Sequence, residues 1–146
     1  LVTGTQWDTI MKWYQTSNIK VDNSQDWGTY RNLTYSGNGK YFKYTNSGAD
    51  ASWSEGAFTR TGNSTNPSYP YYYHASGLNT NGIKKNIADL GGNVREWTAE
   101  IYSTYRVIRG GNAYDSTAVF PASYRYYNGA GNTDYSLGFR SVLYIQ

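Results

Sequence analysis

The chain has 146 residues, a net charge of +3, 17 Tyr, 5 Trp, 16 Gly, a single His and no Cys. That length suits one domain with a real core. The missing Cys excludes a disulfide framework and any thiol nucleophile, the small dispersed charge lacks the basic stripe that nucleic acid calls for, and no apolar run approaches the ~20 residues that span a bilayer.

The first element is a helix. Thr3 can cap it with Gln6 three residues on, as in a capping box, and Trp7, Ile10, Met11 and Tyr14 recur at helical spacing to form one apolar stripe. Asp8 and Lys12 are expected to pair on the outer side, and the helix fades near Thr16, Ser17 and Asn18. Residues 22–82 are rich in Asn, Ser, Thr, Gly and Tyr and hold neither period for long, which predicts a loop-dominated stretch with a few short strands such as Lys40 to Tyr44. Trp27, Tyr30, Trp53 and Phe58 give those loops something to bury. Lys84 and Lys85 read as a solvated turn. Strands are expected over Asn93 to Glu100 and Arg106 to Gly110, then a Gly-Asn turn, a Pro-capped segment from Pro121 to Tyr127, and a last strand from Gly138 to Ile145 whose side chains alternate. There is no internal repeat. Tyr and Trp supply rigid, amphipathic contact area, and whether they fill a core or face outward stays open at this point.

Five blocks stand in order: LVTGTQWD at 1–8, DLGGNVREWT at 89–98, RVIRGGN at 106–112, ASYR at 122–125 and GFR at 138–140. Together they resemble the formylglycine-generating enzyme (sulfatase-modifying factor) family, across the whole chain but densely only after residue 83. The resemblance implies an α+β domain over residues 1–146 with a variant of the C-type lectin fold: small twisted antiparallel sheets, few helices and long loops. Leu1 reads as an internal start, so the domain is expected to be the C-terminal part of a longer protein. Gly91, Gly92, Gly110 and Gly111 would sit where backbones approach or take positive φ. Trp97 would be core, and Arg109, Arg125 and Arg140 would anchor loops.

The family's oxygen-activating enzymes hold copper with cysteines, and this chain has none. Its iron-dependent relatives use several histidines, whereas His74 stands alone here and is expected to pack or face solvent. Neither a serine hydrolase constellation nor a substrate cleft around Glu96 and Glu100 is visible. The expectation is therefore a protein that is not an enzyme. The resemblance also implies a structural Ca²⁺ held by Asp89, Gly92, Val94 and Glu96, oxygen ligands of the kind this ion accepts; the alternative is that Asp89 caps a turn and Glu96 pairs with an arginine.

Tyr105, Asn112, Tyr114, Asp115, Ser116, Thr117, Tyr126, Tyr127, Asn128, Asn132, Asp134 and Tyr135 use the alphabet of adaptable binding surfaces. The layout is similar to the variable proteins of diversity-generating retroelements, which display a diversified C-terminal patch on this fold. The leading expectation is a non-catalytic recognition domain, extracellular, at a cell surface or on a phage virion, that binds a protein or glycan through this patch, without nucleic acid and without inserting into a membrane. A structural or assembly domain of a surface or tail protein is the second reading. An enzyme with a new metal site is the third, and it needs His74 close to two carboxylates around a cavity.

Overall fold

A computed structural model describes residues 1–24, 26–45, 48–62 and 70–141, with the side chains of 45 and 48–52 left aside. It is an α+β structure. One helix, α1 (Gly4–Thr16), is followed by β1 (Tyr35–Thr45), β2 (Gly48–Arg60), β3 (Tyr71–His74), β4 (Ile83–Lys84), β5 (Ile87–Ala88), β6 (Arg95–Tyr102), β7 (Tyr105–Arg109), β8 (Arg125–Gly129) and β9 (Leu137–Phe139). They form three sheets ordered β2-β1-β3, β4-β5 and β8-β7-β6-β9. All pairings are antiparallel except that of β9 with β6.

The helix starts as its sequence dictates. Thr3 Oγ1 accepts from the Gln6 amide at 3.2 Å and Gln6 Oε1 accepts from the Thr3 amide at 2.8 Å, so two otherwise orphaned donors are satisfied. Trp7, Met11 and Tyr14 are buried with Val2, Val21, Trp27, Leu90 and Ala122, while Ile10 packs at the margin. Each buried aromatic of this core still finds a partner for its polar tip: Trp7 Nε1 donates to Ala122 O (2.9 Å), Trp27 Nε1 to Lys20 O (2.6 Å) and the Tyr14 hydroxyl to Lys84 O (2.7 Å). Asp8 does not turn to Lys12. Its carboxylate takes Arg109 Nη2 at 2.8 Å, because a buried guanidinium gains more from a counter-charge than an exposed ammonium does.

The stretch over residues 22–82, expected to be loop-dominated, holds a long hairpin instead, and the short strand expected over Lys40 to Tyr44 lies within it. β1 and β2 pair from Tyr35↔Arg60 to Thr45↔Gly48, and β1 also pairs with β3 from Tyr41↔His74 to Tyr44↔Tyr71. Two inward positions of β1 are glycines, so no apolar alternation shows in the sequence. A Cβ on Gly37 would lie 2.9 Å from the Phe58 ring, and one on Gly39 would lie 2.8 Å from Leu78. The buried Arg60 closes the base of the hairpin by donating to the carbonyls of Arg31, Leu33, Thr61 and Pro70.

In the second half, the expected strands are present with shifted ends. The Pro121 segment opens as a turn before β8. Lys84 ends β4 and Lys85 begins the turn to β5, with φ 52°. The last strand is shorter than expected, Leu137–Phe139, and 142–145 lie outside the described residues. Trp97 is half-buried rather than core, and Arg125 is exposed, held by Glu100 at 2.7 Å and stacked on Tyr102. Arg109 and Arg140 are anchors: Arg109 Nη1 donates to Ser123 O at 2.9 Å, and Arg140 to Ala88 O at 2.8 Å. Gly92 has φ 77°, and a Cβ there would sit 2.0 Å from Thr29 O; the bridge between Thr29 and Gly92 that joins the two halves needs glycine at this point.

Candidate functional site

The segment after β7 is shaped by one buried ion pair. Arg95 on β6 grips Asp115 with Nη2 at 2.9 and 3.0 Å and Nε at 3.2 Å. Asp115 Oδ2 also accepts the Asn112 amide at 2.9 Å, and Asn112 Oδ1 accepts the amides of Tyr114 (2.9 Å) and Asp115 (3.0 Å). Burial pushes the Asp115 carboxyl up from the ordinary range, and the Arg95 charge and the Asn112 amide pull it back. Thr117 is tied to Asn32 by two hydrogen bonds of 3.0 and 2.9 Å. Asn112, Asp115 and Thr117 are thus buried and internally paired, and their bonds hold the loop in shape; of the three, Asn112 also lines the groove that the loop borders. Ser116 is half-buried, its carbonyl accepting from the Val119 and Phe120 amides.

What this loop presents is Tyr114. It meets Tyr71 at 5.3 Å between ring centroids, with the Arg31 guanidinium 5.6 Å from its own centroid. Tyr71 stacks on Tyr44 at 5.0 Å, Tyr44 on Tyr135 at 4.7 Å, and Tyr135 meets Tyr73 at 5.6 Å. These five rings, with Arg95, Asn112, Asp134 and Ser136, line an open groove of about 410 Å³. Asp134 Oδ1 holds the Ser136 amide at 2.6 Å and fixes the turn that carries Tyr135. Burial raises the Tyr71 and Tyr73 phenols far above the ordinary value, and Tyr135 is pushed up to about 12, first by burial and then by Tyr44. The groove therefore offers hydroxyl donors and acceptors beside apolar ring faces.

The remaining expected contact residues form a second aromatic surface. Tyr105, Tyr126 and Tyr127 are exposed around the edge strand β8, with Tyr127 5.0 Å from Tyr102 and 5.2 Å from Tyr105, and 5.4 Å from Tyr126. Asn128 is half-buried, accepting from the Gly129 amide (2.9 Å) and from the exposed Asn132. The expected patch is therefore two surfaces. Tyr71 and Tyr73 were missed because they fall in the stretch read as loop, and Tyr44 because nothing local ties the expected strand over Lys40 to Tyr44 to a groove; the alternation of Tyr71 and Tyr73 with the half-buried Tyr72 was the available signal.

The expected calcium ligands are close in the chain but not set out for a cation. Glu96 gives both carboxylate oxygens to Arg140, at 2.9 and 2.6 Å. Burial pushes its carboxyl up, Arg140 pulls it back, and Asp89 adds to the rise. Asp89 takes φ 55°, and its Oδ2 accepts the Gly77 amide (2.7 Å) and the Ser76 hydroxyl (3.1 Å), while its buried Oδ1 has no partner among the described residues. Gly92 and Val94 belong to the tight turn into β6, where Gly92 donates to Gly110 O at 2.7 Å. Seating Ca²⁺ on these positions would place it beside a guanidinium already neutralising Glu96, so the residues as arranged do not fit that ion.

His74 is buried and fully engaged. Nδ1 donates to Ala75 O (2.9 Å), and Nε2 shares a hydrogen bond of 3.0 Å with Thr29 Oγ1, whose oxygen also accepts Asn79 Nδ2 at 3.0 Å. His74, Asp89 and Glu96 line one cavity, yet no group of three His, Asp or Glu side chains among the described residues converges on a metal position.

Against known families, the model described as sulfatase-modifying factor enzyme 1-like domain matches residues 12–145. No curated protein and no solved structure matches the chain.

Proposed function

Because the chain belongs to the sulfatase-modifying factor enzyme 1-like domain family, we propose that it is a non-catalytic member on a C-type-lectin-type fold that recognises a protein or glycan outside the cell. The observation that carries this reading is the groove walled by Tyr44, Tyr71, Tyr73, Tyr114 and Tyr135. Tyrosine gives a large contact area for two rotatable bonds, so little entropy is lost on binding, and its ring face stacks on sugars or side chains while its hydroxyl selects partners. The polar rim of Asn112, Asp134 and Ser136 supplies direction. A chain without Cys and with one histidine engaged on both ring nitrogens has neither reactive set of the family's enzymes, which supports a binding role.

The test is a screen of the purified domain against an oligosaccharide panel and an array of surface-protein ectodomains. Saturable binding to members of one class, without turnover of the bound molecule, is expected. No binding in either panel, or chemical conversion of a bound molecule, contradicts the reading.

A further inference from the structure

A second cavity, of about 640 Å³, lies beside the tyrosine groove and has a different character. Its walls are Phe42, Trp53, Tyr73, Tyr135 and Phe139, drawn from four places in the chain, and its polar lining includes Asp89, Glu96 and Arg140. Two of the walls stand open to solvent: Trp53 is 61% exposed and Phe139 74%. Exposed large aromatics that flank one concavity mark a binding site more often than an isolated exposed residue does.

The carboxylates of the lining differ in their partners. Glu96 is neutralised by Arg140, whereas Asp89 has no ion pair with a cationic side chain among the described residues. Asp89 is 4% exposed, and its Oδ1 is buried with no donor among the described residues. That oxygen lies against Gly82, where an added Cβ would come within 2.8 Å of it, so a cation in the cavity acts on the Asp89 carboxylate through charge rather than as a hydrogen-bond donor. Aromatic faces attract a cation through the ring quadrupole and prefer one that is large and weakly hydrated. A metal ion is poorly served, since the oxygens of Glu96 are occupied and rings ligate no Ca²⁺.

We propose that this cavity binds an organic ammonium ion, with Trp53, Phe42, Tyr135 and Phe139 as the cage and Asp89 as the counter-charge. The proposal stands independently of the ligand of the tyrosine groove.

The test is calorimetric titration of the whole domain with choline, with its uncharged isostere dimethylbutanol, with a peptide bearing one trimethyl-lysine, with phosphatidylcholine vesicles and with Ca²⁺. Saturable binding of at least one ammonium probe is expected, with the isostere at least about tenfold weaker than choline if choline is the one that binds, and at least about tenfold loss in Asp89→Asn and in Trp53→Ala. The ammonium probe that binds identifies the source as free ion, side chain or lipid headgroup. Asparagine keeps an acceptor for Gly77 and Ser76 and tolerates φ 55°, and Trp53 is largely exposed, so both variants are expected to fold. Equal binding of choline and the isostere, silence of every ammonium probe, or a response to Ca²⁺ alone overturns the proposal.

Discussion

Asp115 shows how one side chain can carry a binding surface without touching a ligand. It accepts from Arg95 and from the Asn112 amide, and the backbone turn built on those bonds sets Tyr114 against Tyr71. Asp115→Ala leaves Arg95, 22% exposed at its side chain, without its counter-charge. A loss of about 2–4 kcal/mol is expected in denaturant unfolding, at the lower end because Arg95 retains some solvent. Tyr114→Ala, at an exposed ring, is expected to change stability by about 0.5 kcal/mol or less while weakening ligand binding. Residues of this kind were only half legible. Tyr, Asn and Asp between 112 and 135 signal a surface, but which of them face inward depends on Arg95, twenty residues from Asp115. Arg109 and Arg140 were legible as anchors, whereas the buried Arg60 gave no signal because its partners are carbonyls brought together by a hairpin the sequence concealed.

At the scale of elements, the start of the helix was legible to the residue and its end to within a few residues, because its signals are local: a capping box and an apolar stripe. The β1–β2 hairpin was not, because the space over β1 is filled from other segments, by Phe58 and Leu78, and glycine at 37 and 39 makes room for them. This makes a sign test available. β-propensity alone favours Val over Gly in a strand, yet Gly37→Val would press on Phe58 and on Leu78 O, which lies 3.1 Å from the added Cβ. A destabilisation of about 1–3 kcal/mol is expected from overpacking, read as a lower thermal midpoint; an unchanged or higher midpoint contradicts this packing. The same reasoning applies to surface variation. Should relatives differ in sequence over 105–135, substitutions are expected to gather at Tyr105, Tyr114, Tyr126, Tyr127, Asn132, Asp134 and Tyr135 and to spare Asn112, Asp115 and Thr117, which sequencing of related loci can count.

For the whole molecule, burial of phenols links the two halves of the structure to alkaline pH. The Tyr30 hydroxyl donates to Gly110 O at 2.8 Å and Tyr35 to Tyr72 O at 3.1 Å, and both phenols are raised above the unfolded value by burial, as are Tyr71 and Tyr73. A folded-state value above the unfolded one contributes stability that is complete below the ordinary phenol range and is lost as pH rises through it. The fold is therefore expected to weaken steeply above about pH 10, with the buried phenols ionising only as near-ultraviolet circular dichroism collapses. Gradual ionisation of all tyrosines in a folded chain is the contrary result. The family framework of glycine turns and arginine anchors was readable from five short blocks, whereas the groove was not, since its walls come from segments separated by up to ninety residues.

The central claim is that recognition runs through the groove rather than along the β8 edge. Its most direct test is the affinity of a ligand captured in the screen, measured for the wild type, for Tyr114→Ala/Tyr135→Ala and for Tyr102→Ala/Tyr127→Ala. The expected result is a loss of about tenfold or more, roughly 1.4 kcal/mol, in the groove variant and little change in the edge variant. Undiminished affinity in the groove variant, with the loss falling on the edge variant, would contradict it.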